Sequence, residues 1–252
     1  MPLPLYHWNV DLESAGFARG QMKSCDWLLN FIQGRENSII MTVNRLCLDN
    51  VKRKKLLLLG KFSSFRKMIE LFALCDPFQF MTDKFVSFFS ERFAELFKIS
   101  GPNAYLIKEK YPIICYGLKK IISGERIQKV SLLPYNRVIL TCSLSKKANE
   151  LIFITNNTPL TPTVYFDATP NCAQINDIEI LSPNYSSLCE SDLVIIGTDN
   201  SQTVAEILNN IIPTKASVLY YSEVFDVLFS YFMPEVSDIL EAKVNQYFGL
   251  EN

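Results

Sequence analysis

The chain is poor in histidine and glycine and has no long apolar run, and each shortage removes a class of function. His7 is the single histidine among 252 residues, so neither a zinc site nor a histidine-based triad is expected. The nine glycines form no G-x-G-x-x-G or G-x-x-x-x-G-K-[ST] run, which leaves no glycine-rich phosphate loop. Seven cysteines occur without a C-x-x-C pair. That irregular set fits reduced, mostly buried thiols in an intracellular setting, cytoplasm or nucleus. Apolar runs such as Leu56–Leu59 and Val194–Ile196 are far too short to span a bilayer, so a membrane is not an expected partner. No basic segment followed by an apolar core opens the chain, and no secretory signal is expected. Acid–base or metal chemistry must then rest on carboxylates.

What is present is a globular composition, 48% hydrophobic and 20% charged, enough for one large domain or two small ones. The net charge of −1 conceals a strong asymmetry. Residues 1–130 carry 20 of the 25 Lys and Arg against 12 of the 26 Asp and Glu. Residues 131–252 carry 5 basic and 14 acidic residues. A basic half can hold a phosphate backbone, and an acidic half can hold metal ions. Two oppositely charged faces that attract each other would have the same composition.

The first half reads as helical. Trp27, Leu28, Phe31 and Ile32 have helical spacing, as do Phe62, Phe65, Ile69 and Phe72. Asp76–Pro77 should break the second run. Thr82 is a plausible N-cap for a helix to about Lys98, and Ile113–Ile122 reads as another, ending near Gly124. Beyond residue 130 the pattern changes. Val138–Ser143, Glu150–Thr155, Thr163–Phe166, Leu193–Ile196 and Ala216–Tyr221 read as strands. Ser201–Ile212 reads as a helix stopped by Pro213, and Pro234–Phe248 as a C-terminal helix. A strand–helix–strand order from Leu193 to Tyr221 implies a parallel crossover in an α/β sheet. The expected organisation is a mainly helical, basic region over residues 1–130 and an α/β domain over 131–252.

Two segments deliver an aspartate to the end of a strand: T-V-Y-F-D-A-T-P at Thr163–Pro170 and L-V-I-I-G-T-D-N-S at Leu193–Ser201. The F-D-A-T-P and I-I-G-T-D-N-S stretches resemble the ribonuclease H domain of hepadnavirus-type and related retroelement reverse transcriptases. L-L-G-K-F-S-S-F at Leu58–Phe65 is similar to the connection segment before that domain. The resemblance implies a ribonuclease H-like mixed sheet with flanking helices. It implies Asp167 on the central strand, Glu179 in D-I-E-I-L on a helix, Asp199, and Asp226 after Tyr220-Tyr221-Ser222. Together they would hold two Mg²⁺ or Mn²⁺ ions for cleavage of RNA in an RNA–DNA hybrid. Glu190 rivals Glu179, and Asp238 rivals Asp226. Asn200 and Ser201 are read as caps of the following helix. Lys52, Arg53, Lys54 and Lys55 are candidate nucleic-acid contacts; a localisation signal or a solvated face fits the same run. A polymerase or other protein partner is implied.

Only twelve residues separate Asp167 from Glu179, too few for two ordinary strands. Pro183 falls where the glutamate-bearing helix should continue. Those departures keep a second reading open, a non-catalytic descendant that binds nucleic acid or protein. A third is an unrelated α/β module that takes a nucleotide or small ligand at its sheet edge.

Overall fold

The computed structural model describes residues 25–72, 77–99, 101–128, 134–170 and 174–232. The chain forms two compact units that divide at Ser100–Gly101, not near residue 130 where the composition changes.

The first unit is helical. Its helices are α1 (Cys25–Arg45), α2 (Asn50–Phe72) and α3 (Asp83–Phe97), with a short 3₁₀ turn at Pro77–Phe80. Thr82 caps α3 as its sequence suggests, accepting a hydrogen bond from the Phe85 amide. Lys98 ends that helix in the left-handed region, at φ 53°. The phenylalanines repeating along α2 and α3 interlock: Phe65 meets Phe89 at 5.2 Å between ring centroids, and Phe93 meets Phe97 at 4.6 Å. This stripe is core, as helical periodicity dictates.

The second unit is α/β. It opens with α4 (Pro102–Glu109) and α5 (Tyr111–Ile122). The strands are β1 (Arg137–Thr141), β2 (Val164–Phe166), β3 (Gln174–Ile175), β4 (Ile178–Leu181), β5 (Asp192–Ile196) and β6 (Ser217–Tyr220). The remaining helices are α6 (Lys146–Thr155), α7 (Ser201–Ile211) and α8 (Tyr221–Phe232). The six strands lie in the order β3-β4-β2-β1-β5-β6. All neighbouring pairs are parallel except the antiparallel β3–β4 edge. β1 is central, with Ile139 opposite both Val164 of β2 and Val194 of β5.

Both faces of the sheet are covered. Ile139, Val194 and Ile196 pack with Phe166, Leu188, Ile207 and Ile211 on the α7 face. Alternation turns Leu140 and Ile195 to the other face, and both are wholly buried. β5 is buried along its whole length, which is why Leu193–Ile196 is continuously apolar rather than alternating.

Two expectations need correction. Glu150–Thr155 is not a strand but the second half of α6. Ser145 caps that helix, and Ala148, Leu151, Ile154 and Thr155 face inward at three- and four-residue steps; the β-branched content conceals this period. Glu179 lies on strand β4, paired across from Gln174, not on a helix. The expected helix at Pro234–Phe248, Asp76 of the Asp76–Pro77 break, and Asp238 lie outside the described residues.

Candidate ligand site at the carboxyl rim of the sheet

The strands β1, β2 and β5 end together at one rim of the sheet, and the chain's order reverses there. From β1 it passes through α6 to β2 and outward to β4, then returns to the far side of β1 for β5 and β6. In open α/β sheets such a reversal leaves a crevice beyond the carboxyl ends of the two strands that diverge. Here those strands are β1 and β5. Each is followed within a few residues by a helix, α6 and α7.

The loop from β1 to α6, residues 142–145, is held from both sides. On the β2 side, the Asp167 carboxylate accepts from the Leu144 amide at 3.0 Å and from the Thr169 amide at 3.1 Å. The Ser143 amide donates to the Phe166 carbonyl. On the β5 side, the Ser145 hydroxyl donates to the Gly197 carbonyl at 2.5 Å while accepting from the Ala148 amide at 2.9 Å. Gly197 is required where it stands: a Cβ there would lie 2.4 Å from the Thr141 carbonyl oxygen. Cys142 has φ 52°, which turns the chain sharply off the strand. Ser143 is wholly buried, and its hydroxyl has no hydrogen-bond partner.

Charge gathers unevenly around this loop. Burial raises the Cys142 thiol, and the nearby Asp167 charge adds to the shift. Burial, with the charges of Cys142 and Asp167, pushes the Tyr185 phenol up to about 12. On the opposite flank Lys146 and Lys147 stand in the first turn of α6, near Glu150 at 3.7 and 3.9 Å. The Tyr221 hydroxyl donates to Glu150 at 2.5 Å, and Lys147 lies 4.2 Å from the centre of the Tyr221 ring. Burial and the Glu150 carboxylate both raise the Tyr221 phenol. Asn200 caps α7, accepting from the Thr203 amide at 3.0 Å, as the sequence suggests.

The four carboxylates singled out from the sequence are placed in three different environments. Asp167 and Asp199 share the rim, but β2 and β5 are not neighbours, since β1 runs between them. At about 4.8 Å per strand spacing, the ends of β2 and β5 lie on the order of 10 Å apart. Asp167 follows β2, one of the two middle strands, and its oxygens already accept from the loop. Glu179 lies back from the rim, exposed on β4; it is Leu181 of that strand whose carbonyl accepts from the Asp167 amide. Asp226 is buried in α8, bound to Lys120 at 2.6 Å and to the Gln128 amide at 3.3 Å. It is not a surface carboxylate. Glu190 is exposed in the turn before β5. Among the described residues no group of three or more His, Cys, Asp or Glu is disposed to hold a metal. Lys52, Arg53, Lys54 and Lys55 are exposed on the first turns of α2.

The residues missed by sequence reasoning are Cys142, Ser143, Ser145, Tyr185 and Gly197. The signal for Ser145 was a serine three residues before Ala148 at the end of an apolar strand, an N-cap pattern. No helix among the described residues is long and apolar enough to cross a membrane. No protein-family model, curated protein or solved structure matches the chain.

Proposed function

We propose that the sheet-bearing unit is a binding module for a small phosphate-bearing ligand, a nucleotide or a sugar phosphate, held at the β1–β5 crevice. The observation that carries this reading is the reversal of strand order at β1, with α6 and α7 beginning at the same rim. Helix N-termini present free amides and a partial positive charge to an anion. Lys146 and Lys147 add full positive charge in the first turn of α6. Asp167 and Gly197 act as positioning residues that hold the loop from either side.

Thermal unfolding of the full chain tests the reading, with AMP and glucose 6-phosphate compared against adenosine and glucose. A ligand at ten times its Kd stabilises by about 1.4 kcal/mol, which raises Tm by roughly 3–6 °C in a chain of this size. The phosphorylated compound that binds should do so, its dephosphorylated counterpart should not, and Lys146→Glu should weaken binding about tenfold. No response to any phosphorylated compound, or full binding by Lys146→Glu, overturns the assignment.

A metal-dependent nuclease keeps one observation in its favour, the shared rim of Asp167 and Asp199. It further requires two carboxylates flanking β1 to converge on one ion and Asp167 to exchange the loop amides for metal. Cleavage of an RNA–DNA hybrid in Mg²⁺ that is abolished by Asp167→Asn would establish that reading instead.

A further inference from the structure

The tip of the helical hairpin in the first unit has a character that the crevice does not explain. α1 and α2 are joined by residues 46–49, and around that turn both helices stand almost free of packing. Residues 40–42 and 50–56 are all exposed, as are Asn44 and Arg45, while Val43 alone is buried there. The run Lys52-Arg53-Lys54-Lys55 occupies the first turns of α2. Among the described residues only one of its four cations has a carboxylate partner. Asp49 pairs with Lys52 at 3.3 Å, and Arg53 reaches only the neutral Asn44, at 2.6 Å. Lys54 and Lys55 have no ion pair among the described residues. Large apolar side chains are interleaved with these charges: Val51 is 77% exposed, Met41 57%, Leu56 38% and Ile40 36%.

That mixture selects one kind of surface. A nucleic-acid backbone would satisfy the four cations but offers nothing to Val51, Met41 or Leu56. The interface of an anionic bilayer takes both, with headgroup charge for Lys and Arg and the acyl boundary for the apolar side chains. From this complementarity of charge and apolar exposure we infer that the α1–α2 hairpin tip docks on the surface of a membrane rich in anionic lipid. The docking is peripheral and needs no spanning helix.

Co-sedimentation of the full chain with vesicles tests it, comparing pure phosphatidylcholine with phosphatidylcholine holding about one third phosphatidylserine. The chain should bind the anionic vesicles at least about tenfold more tightly than the neutral ones and be released as salt screens the charge. Two variants, both confined to exposed positions, separate the contributions. Replacing Lys52, Arg53, Lys54 and Lys55 by Gln should abolish the preference for anionic lipid. Met41→Ser with Val51→Ser should weaken binding at least about a hundredfold, each losing on the order of one buried apolar side chain. Circular dichroism confirms that each variant keeps its helices. Failure to bind anionic vesicles overturns the inference. So does binding that the apolar variant leaves unchanged while an RNA duplex competes it away, since that marks a nucleic-acid surface.

Discussion

Asp192 and Glu36 are both buried carboxylates paired with arginine, and their surroundings move them in opposite directions. Arg137 holds Asp192 through two bonds, Nε at 3.0 Å and Nη2 at 2.6 Å, and the Cys189 amide adds a third at 2.9 Å. Those bonds keep the Asp192 carboxyl below its ordinary value despite burial. Glu36 has Arg92 at 2.6 Å, but burial outweighs that partner and raises its carboxyl. The stability supplied by Asp192 is present above the ordinary carboxylate range and is lost as pH falls through its depressed value. For Glu36 the proton is held more tightly in the folded state, so its contribution is full at low pH and fades as pH rises through the raised value. Asp192→Asn should cost about 2 kcal/mol at neutral pH, a figure reduced because Arg137 is partly exposed. The gap to the unaltered chain should close as pH falls from about 5 toward 2. Glu36→Gln should cost less than about 1 kcal/mol at neutral pH, because Arg92 retains Glu95. Urea unfolding at a series of pH values measures both, and parallel profiles for Asp192→Asn and the unaltered chain would contradict the assignment.

At the scale of elements, close packing depends on two small residues. Gly117 of α5 lies against Phe229 of α8, and a Cβ there would fall 2.2 Å from the ring. Phe229 is wholly buried and α8 is fixed against the sheet, so the ring has nowhere to move. Gly117→Ala should therefore destabilise by about 2–3 kcal/mol through overpacking, even though alanine favours a helix. Unchanged stability would mean that α5 can slide. Ser145→Ala removes the α6 cap and the bond to Gly197, costing about 1–2 kcal/mol. Element type was legible wherever one period dominated. The Phe62 and Phe85 runs, Ser201–Ile212 and the apolar β5 all read directly. α6 did not, because Glu150–Thr155 contains enough β-branched and aromatic residues to resemble a strand once its cap is overlooked. α8 is not legible because its residues follow β6 without a break.

The whole molecule divides at Ser100–Gly101, since α5 packs on α8 of the sheet-bearing unit although its composition resembles the helical half. Residues 101–252 made alone should melt cooperatively and keep the circular dichroism of an α/β fold. A non-cooperative melt would show that the division is only geometric. The amino-acid sequence determined the α/β class, the helical character of the first half and the two aspartates at strand ends, because periodicity and capping act over a few neighbouring residues. It could not determine strand order. β1 separates β2 from β5 through pairings between residues up to 55 positions apart (Arg137 with Asp192), which no local pattern encodes. Only the tertiary structure decided that Asp167 and Asp199 follow strands that are not neighbours, and that Asp226 faces Lys120.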